Sequence, residues 1–151
     1  MASPLIISSK TDLSLRPAPI EPSWILSGNP VATNAPLSTS ADGMATTVVW
    51  ECTEGHFEWH YDFDETIHFL EGAVVIEGDG LPATRFLPGD VLFFKKGAVA
   101  RWTVEKKVRK LAFCRKTVPP FLGFTLRALN KVRRMLTSRG QATGGSLVQP
   151  G

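Results

Sequence analysis

The chain of 151 residues reads as an all-β domain, an antiparallel sandwich or barrel, with an irregular N-terminal arm and a C-terminal amphipathic α-helix. Three observations predict this. Between Thr46 and Cys114, short runs rich in β-branched and aromatic residues succeed one another with no helical period between them. The breaks between the runs carry the Gly, Pro and Asp that tight reversals need, for a positive or a preset φ. After Pro119-Pro120 the apolar residues recur instead at steps of three and four.

The arm, residues 1–45, is rich in Pro, Ser, Thr and Ala, with turn signals at Gly28-Asn29-Pro30 and Asp42-Gly43. It is expected to hold one or two short strands, such as Ile20–Leu26, and to cover a sheet edge. The barrel, residues 46–116, is predicted from the runs Thr47–Cys52, Phe57–Tyr61, Thr66–Leu70, Ala73–Glu77, Thr84–Leu87, Val91–Phe94, Val99–Val104 and Arg109–Cys114. Leu70-Glu71-Gly72, Gly78-Asp79-Gly80, Pro88-Gly89-Asp90 and Lys96-Gly97 are read as the reversals between them.

In the segment 119–139, Leu122, Leu126, Leu129, Val132 and Leu136 form one stripe with Arg127, Lys131 and Arg134 between them, so Phe121–Thr137 reads as a basic amphipathic helix ended by Gly140. Residues 140–151 have the composition of a disordered end.

Composition excludes several classes. With 43% apolar and 21% charged residues, and no uninterrupted apolar run of bilayer length, a soluble domain is expected. No basic region followed by an apolar stretch marks a secretory signal, so the expected compartment is the cytoplasm. Cys52 and Cys114 fit no metal spacing and are expected to remain thiols, packed as small apolar side chains. The net charge of +3 hides an asymmetry: residues 1–114 carry 10 basic against 14 acidic side chains, whereas residues 115–151 carry 7 basic and none acidic. No nucleophile triad, phosphate loop or dinucleotide fingerprint is visible, so no nucleotide cofactor is expected.

The segment Gly55–Gly72 resembles the first cupin motif. Two ligand positions fall on Glu58 and His60, the following Glu on Glu65 and the closing Gly on Gly72. The second motif resembles Pro88-Gly89-Asp90 through Gly97, with Lys95 at its usual Pro and Ala100 where a metal-binding His would stand. Val49-Trp50-Glu51-Cys52, Trp59-x-Tyr61 ahead of Asp64-Glu65, Leu70-Glu71-Gly72, Trp102-x-Val104-Glu105 and Val108-Arg109-Lys110 are similar to the ureidoglycine aminohydrolase-type cupin domain. The resemblance covers Thr46–Cys114 and implies an RmlC-like jelly-roll, a double-stranded β-barrel, and a homodimer. The arm and the basic helix depart from the shortest members of that subfamily.

Two readings of the site follow. If Phe57–Tyr61 is a strand, Glu58 and His60 share one face, and with Glu65 they offer an oxygen-rich set suited to Mn²⁺, Fe²⁺ or Zn²⁺. A one-residue change of register turns Trp59 and Tyr61 inward instead and makes the site an organic pocket. Trp102 has the parity of Ala100 and is expected to fill the space of the absent fourth ligand, and Trp50 is a further pocket candidate. His68 falls on the face opposite Glu65, His56 reads as an exposed loop residue, and Arg109-Lys110 either position an anionic ligand or sit at the rim.

The first functional expectation is a metal-assisted enzyme, a hydrolase, isomerase or lyase, acting on a small nitrogen-containing or carboxylated metabolite. The alternative is a metabolite-sensing or accessory protein that engages a partner or membrane surface through the basic helix. Docking on the barrel or a second subunit is preferred for that helix over an anionic membrane surface, because an apolar outer face is available in the same chain. Specific nucleic-acid binding is not expected, since charge alone is non-specific.

Overall fold

A computed structural model describes residues 4–117 and 127–136. The chain divides into two units, Met1–Thr117 and Val118–Gly151.

In the first unit eight strands, β1 Arg16–Pro17, β2 Ile25–Ser27, β3 Ala32–Thr39, β4 Ala45–His60, β5 Asp64–Gly78, β6 Leu81–Phe86, β7 Val91–Phe94 and β8 Val99–Arg115, form one antiparallel sheet. The order is β1-β3-β4-β8-β5-β6, with β2 paired to β4 and β7 to β5. Non-neighbours in sequence lie side by side, as a jelly-roll requires.

Neighbouring runs that the sequence separates are fused in the structure. Thr47–Cys52 and Phe57–Tyr61 belong to the single strand β4, and its pairing with β8 shifts register between Thr53 and Gly55. Likewise Leu70-Glu71-Gly72 is not a reversal. It is a kink inside β5, which pairs with β8 on both sides of it. Gly72 adopts φ +80°, and a Cβ there would stand 1.7 Å from the Lys107 carbonyl oxygen, so close backbone approach excludes any side chain. The bulges let these long strands bend around a shared interior.

True reversals occur where side chains support them. Asp90 Oδ2 accepts from the Leu87 amide at 2.8 Å, closing the turn through Gly89, and Asp64 Oδ1 accepts from the Lys96 amide at 2.9 Å beside Gly97.

The arm adds strands to the sheet. β3 pairs with β4 from Ala32↔Cys52 to Thr39↔Thr46, and β1 pairs with β3. Of the expected strand Ile20–Leu26, only its end is extended, because Pro22, which has no N–H to give a ladder, begins a 3-10 turn over Pro22–Trp24.

Packing inside the sheet is dominated by Trp50, Phe57, Tyr61, Ile67, Phe69, Val74, Ile76, Phe94, Trp102, Val104 and Val108, all buried. Phe57 and Trp102 stack at 5.9 Å, and Tyr61 stacks on Phe94 at 4.1 Å.

In the second unit residues 127–136 are helical, and Leu129, Val132 and Leu136 are exposed. The rest of the expected helix, residues 121–126 and 137, and the expected disordered end, 140–151, lie outside the described residues. Among the described residues no helix is long and apolar enough to cross a membrane.

Candidate functional site

Alternation along β4 decides which side chains reach the interior. Ahead of the register shift Trp50 and Cys52 join the buried core cluster, which Val49, though buried, does not; beyond it Phe57 and, just past the strand's end, Tyr61 join it, so the inward set changes from even to odd positions. Trp59 therefore faces inward, with rings 6.0 Å from Trp50 and 6.2 Å from Phe57. Glu58 and His60 face out. His60 Nε2 lies 3.1 Å from Glu58 Oε1, with side chains 47% and 36% exposed. This corrects the expected set of Glu58, His60 and Glu65: the first two pair with each other outside, and Glu65 alone is inside. Had the alternation of Trp50 and Cys52 continued unbroken, Glu58 and His60 would have turned to the face that Glu65 occupies.

Glu65 is held in the interior by a residue of β8. Its Oε1 accepts from Lys110 Nζ at 2.7 Å, and both side chains are almost fully buried. The ammonium also lies 4.7 Å from the ring centroid of Trp50 and 4.9 Å from that of Trp102. A carboxylate and two indole faces thus surround one buried cation, the arrangement that offsets the cost of removing an ammonium from water. Lys110 is inward for a local reason: it occupies the same alternate positions of β8 as Ala100, Trp102, Val104, Val108 and Ala112, all buried.

Above this pair lies a cavity of about 360 Å³, lined by Trp50, Trp59, Phe63, Glu65, Lys110 and Cys114 among others. Ala18 and Pro19 of the arm complete its wall. The sequence-derived pocket residues divide accordingly. Trp50 and Trp59 line the cavity, whereas Trp102 and Tyr61 belong to the packed core. Trp102 Nε1 and Tyr61 Oη are buried there next to each other, and no group beyond this pair bonds to either. Burial, then the negative charge of Glu65, pushes the Tyr61 phenol well above its ordinary value of 10.0. Burial also pushes the Cys52 and Cys114 thiols from 9.0 to about 12, and both cysteines are free.

His68 faces away from Glu65, partly buried opposite Leu111. His56 is a strand residue opposite Thr103, not a loop residue, because β4 runs unbroken through it. Arg109 does not reach the cavity: it donates to Glu51 at 3.1 Å and to the Leu13 carbonyl at 3.0 Å, tying the arm to β8.

These residues do not fit the divalent ion that a cupin with a full ligand set would hold. Glu58 and His60 point away, Ala100 offers no donor, and the carboxylate of Glu65 is committed to an ammonium. At an effective dielectric near 20, a dication about 4 Å from an ammonium is opposed by roughly 8 kcal/mol. Among the described residues no group of three or more His, Cys, Asp or Glu is arranged to take a metal.

The chain is similar to one family model and to several solved structures. Residues 39–112 match the family model described as the EutQ-like cupin domain. A protein of unknown function of the DUF861 family from Pseudomonas syringae pv. tomato is 24% identical over 70% of this chain, with a TM-score of 0.64. This chain spans only 46% of that protein. A putative ethanolamine utilization protein Q from Salmonella typhimurium is 22% identical over 58% of this chain and 72% of its own, with a TM-score of 0.51. A DUF861 family protein from Thermotoga maritima is 36% identical over 42% of this chain and 73% of its own, with a TM-score of 0.40. No curated protein sequence matches the chain.

Proposed function

We propose, from the premise that this chain has a cupin fold, that it binds a small uncharged planar ligand in the solvent-open cavity beside Trp50 and Trp59 through the Lys110–Glu65 pair. The observation that carries this reading is the buried ion pair, 2.7 Å long, set in the wall of an otherwise largely apolar cavity. A carboxylate ligand would meet Lys110 favourably but Glu65 unfavourably, and an ammonium ligand the reverse. A neutral edge carrying an acceptor beside a donor satisfies both, the acceptor taking an N–H of Lys110 and the donor giving to Glu65 Oε2. Trp50 and Trp59 supply the apolar walls, and a cavity of this size suits a single small molecule. An amide or ureido group has such an edge, in keeping with the resemblance to ureidoglycine aminohydrolase-type cupins.

Three probes of one shape and different charge test this: benzamide, benzoate and benzylamine, titrated while tryptophan fluorescence is followed. Benzamide is expected to bind in preference to the two ions, and to lose at least about tenfold in affinity in the double variant Lys110→Met/Glu65→Leu, which removes both charges without stranding either. Preference for benzoate, or unchanged benzamide binding in the double variant, would overturn the reading.

A further inference from the structure

We infer that Lys110 is the resident cation of this barrel, its ammonium neutralising the interior carboxylate Glu65 where a metal-dependent cupin uses a divalent ion. The inference shares its site with the ligand reading above but does not depend on any ligand.

Three features of the interior converge on it. First, Glu65 is the single residue of the expected ligand set that the fold turns inward, and its Oε1 is bonded to Lys110 Nζ at 2.7 Å. Second, the remaining surroundings of Nζ are the faces of Trp50 and Trp102, at 4.7 and 4.9 Å. Indole faces attract an organic ammonium, whereas a divalent ion of the first transition series needs nitrogen, oxygen or sulfur donors, which these faces do not offer. Third, Trp102 shares the inner face of β8 with Ala100, so the strand that would complete a metal's coordination supplies a methyl group and an indole, both buried. One carboxylate with two aromatic walls is a site for R–NH₃⁺, and the chain fills that site with its own side chain.

The consequence concerns what the pocket can do to a ligand. A fixed ammonium is a hydrogen-bond donor carrying one charge. It orients an acceptor oxygen without the open coordination positions of a metal. Chelators are therefore expected to leave ligand binding untouched.

Chemical rescue tests the assignment. Lys110→Ala removes the cation and leaves room beside Glu65, and it is expected to lower the melting temperature. Ethylammonium chloride should then raise that temperature by roughly 3 °C over the same concentration of sodium chloride, because it binds the folded state alone. The wild type and Lys110→Ala/Glu65→Leu should show no such difference. In parallel, wild-type protein dialysed against Mn²⁺ or Zn²⁺ is expected to retain far less than one equivalent by elemental analysis, unchanged in Glu65→Gln. A folded Lys110→Ala with no response to ethylammonium overturns the inference, as does one equivalent of metal in the wild type that Glu65→Gln loses. If Lys110→Ala does not fold, the metal measurement alone decides. Failure of the ligand reading would show separately, as absent benzamide binding by the wild type, which neither arm employs.

Discussion

Trp59 and Trp102 both come from the inner face and both pack on Trp50 and Phe57, yet they do different work. Trp102 is 1% exposed and packs between Phe57, Phe69 and Phe94, so its removal leaves a void that the surrounding strands cannot close. Trp102→Ala is expected to cost about 3–5 kcal/mol in urea denaturation. Trp59 is half-buried, standing between Trp24, Trp50 and the cavity. Its truncation should cost clearly less stability and instead weaken benzamide binding. Equal stability losses with unchanged binding would place both residues in the core and remove Trp59 from the cavity wall. The same distinction applies to polar contacts: Glu58 and His60 meet at the exposed surface, where even a fully charged pair contributes at most about 1 kcal/mol. Lys110 and Glu65 meet in the interior, where losing one partner strands the other.

The register shifts within β4, β5 and β8 are the elements that build the site, because each lets a long strand change direction without losing its partners. Gly72 tests this idea in β5. Gly72→Ala would place a methyl group against the Lys107 carbonyl at a positive φ, so a loss of at least about 3 kcal/mol is expected, with poor expression as the milder sign. Wild-type stability of that variant, measured by urea denaturation, would show that the kink is tolerant and does not fix the curvature. These shifts also explain how much of the molecule could be read beforehand. The all-β class, β7 Val91–Phe94 at its own ends, and the inward placement of Trp102 on β8 were legible from alternation and turn residues. The bulge between Thr53 and Gly55 was not, because its signal, an isolated Gly55 between two apolar runs, reads equally as a break between two strands. That one shift sends Glu58 and His60 outward and Trp59 inward. Lys110 had a signal of its own: it is the lone cation among the buried alternate positions Val104, Val108 and Ala112, and a charge on such a face needs a buried partner.

At the scale of the whole molecule, the buried acidic protons tie folding stability to alkaline pH. The Cys52 and Cys114 thiols titrate near 12 in the folded chain against an ordinary 9.0, and the Tyr61 phenol is held well above 10.0, in each case chiefly by burial. Since unfolding exposes all three, the unfolded chain releases their protons at lower pH than the folded chain does. The folded state therefore binds more protons from about pH 9 upward, and stability must fall as pH rises through that window, while it is fully present below it. Self-repulsion does not account for the onset, because the sequence passes through zero net charge near pH 9.1. Melting temperatures followed by circular dichroism at constant ionic strength are expected to hold level up to about pH 9 and then decline. In Cys52→Ala/Cys114→Ser the decline should begin about one unit later, where the exposed tyrosine of the unfolded chain starts to titrate near its ordinary value. A wild-type curve that stays level through pH 11 would mean that these three groups reach solvent in the folded barrel. An onset unmoved by the double substitution would assign the effect to groups other than the thiols.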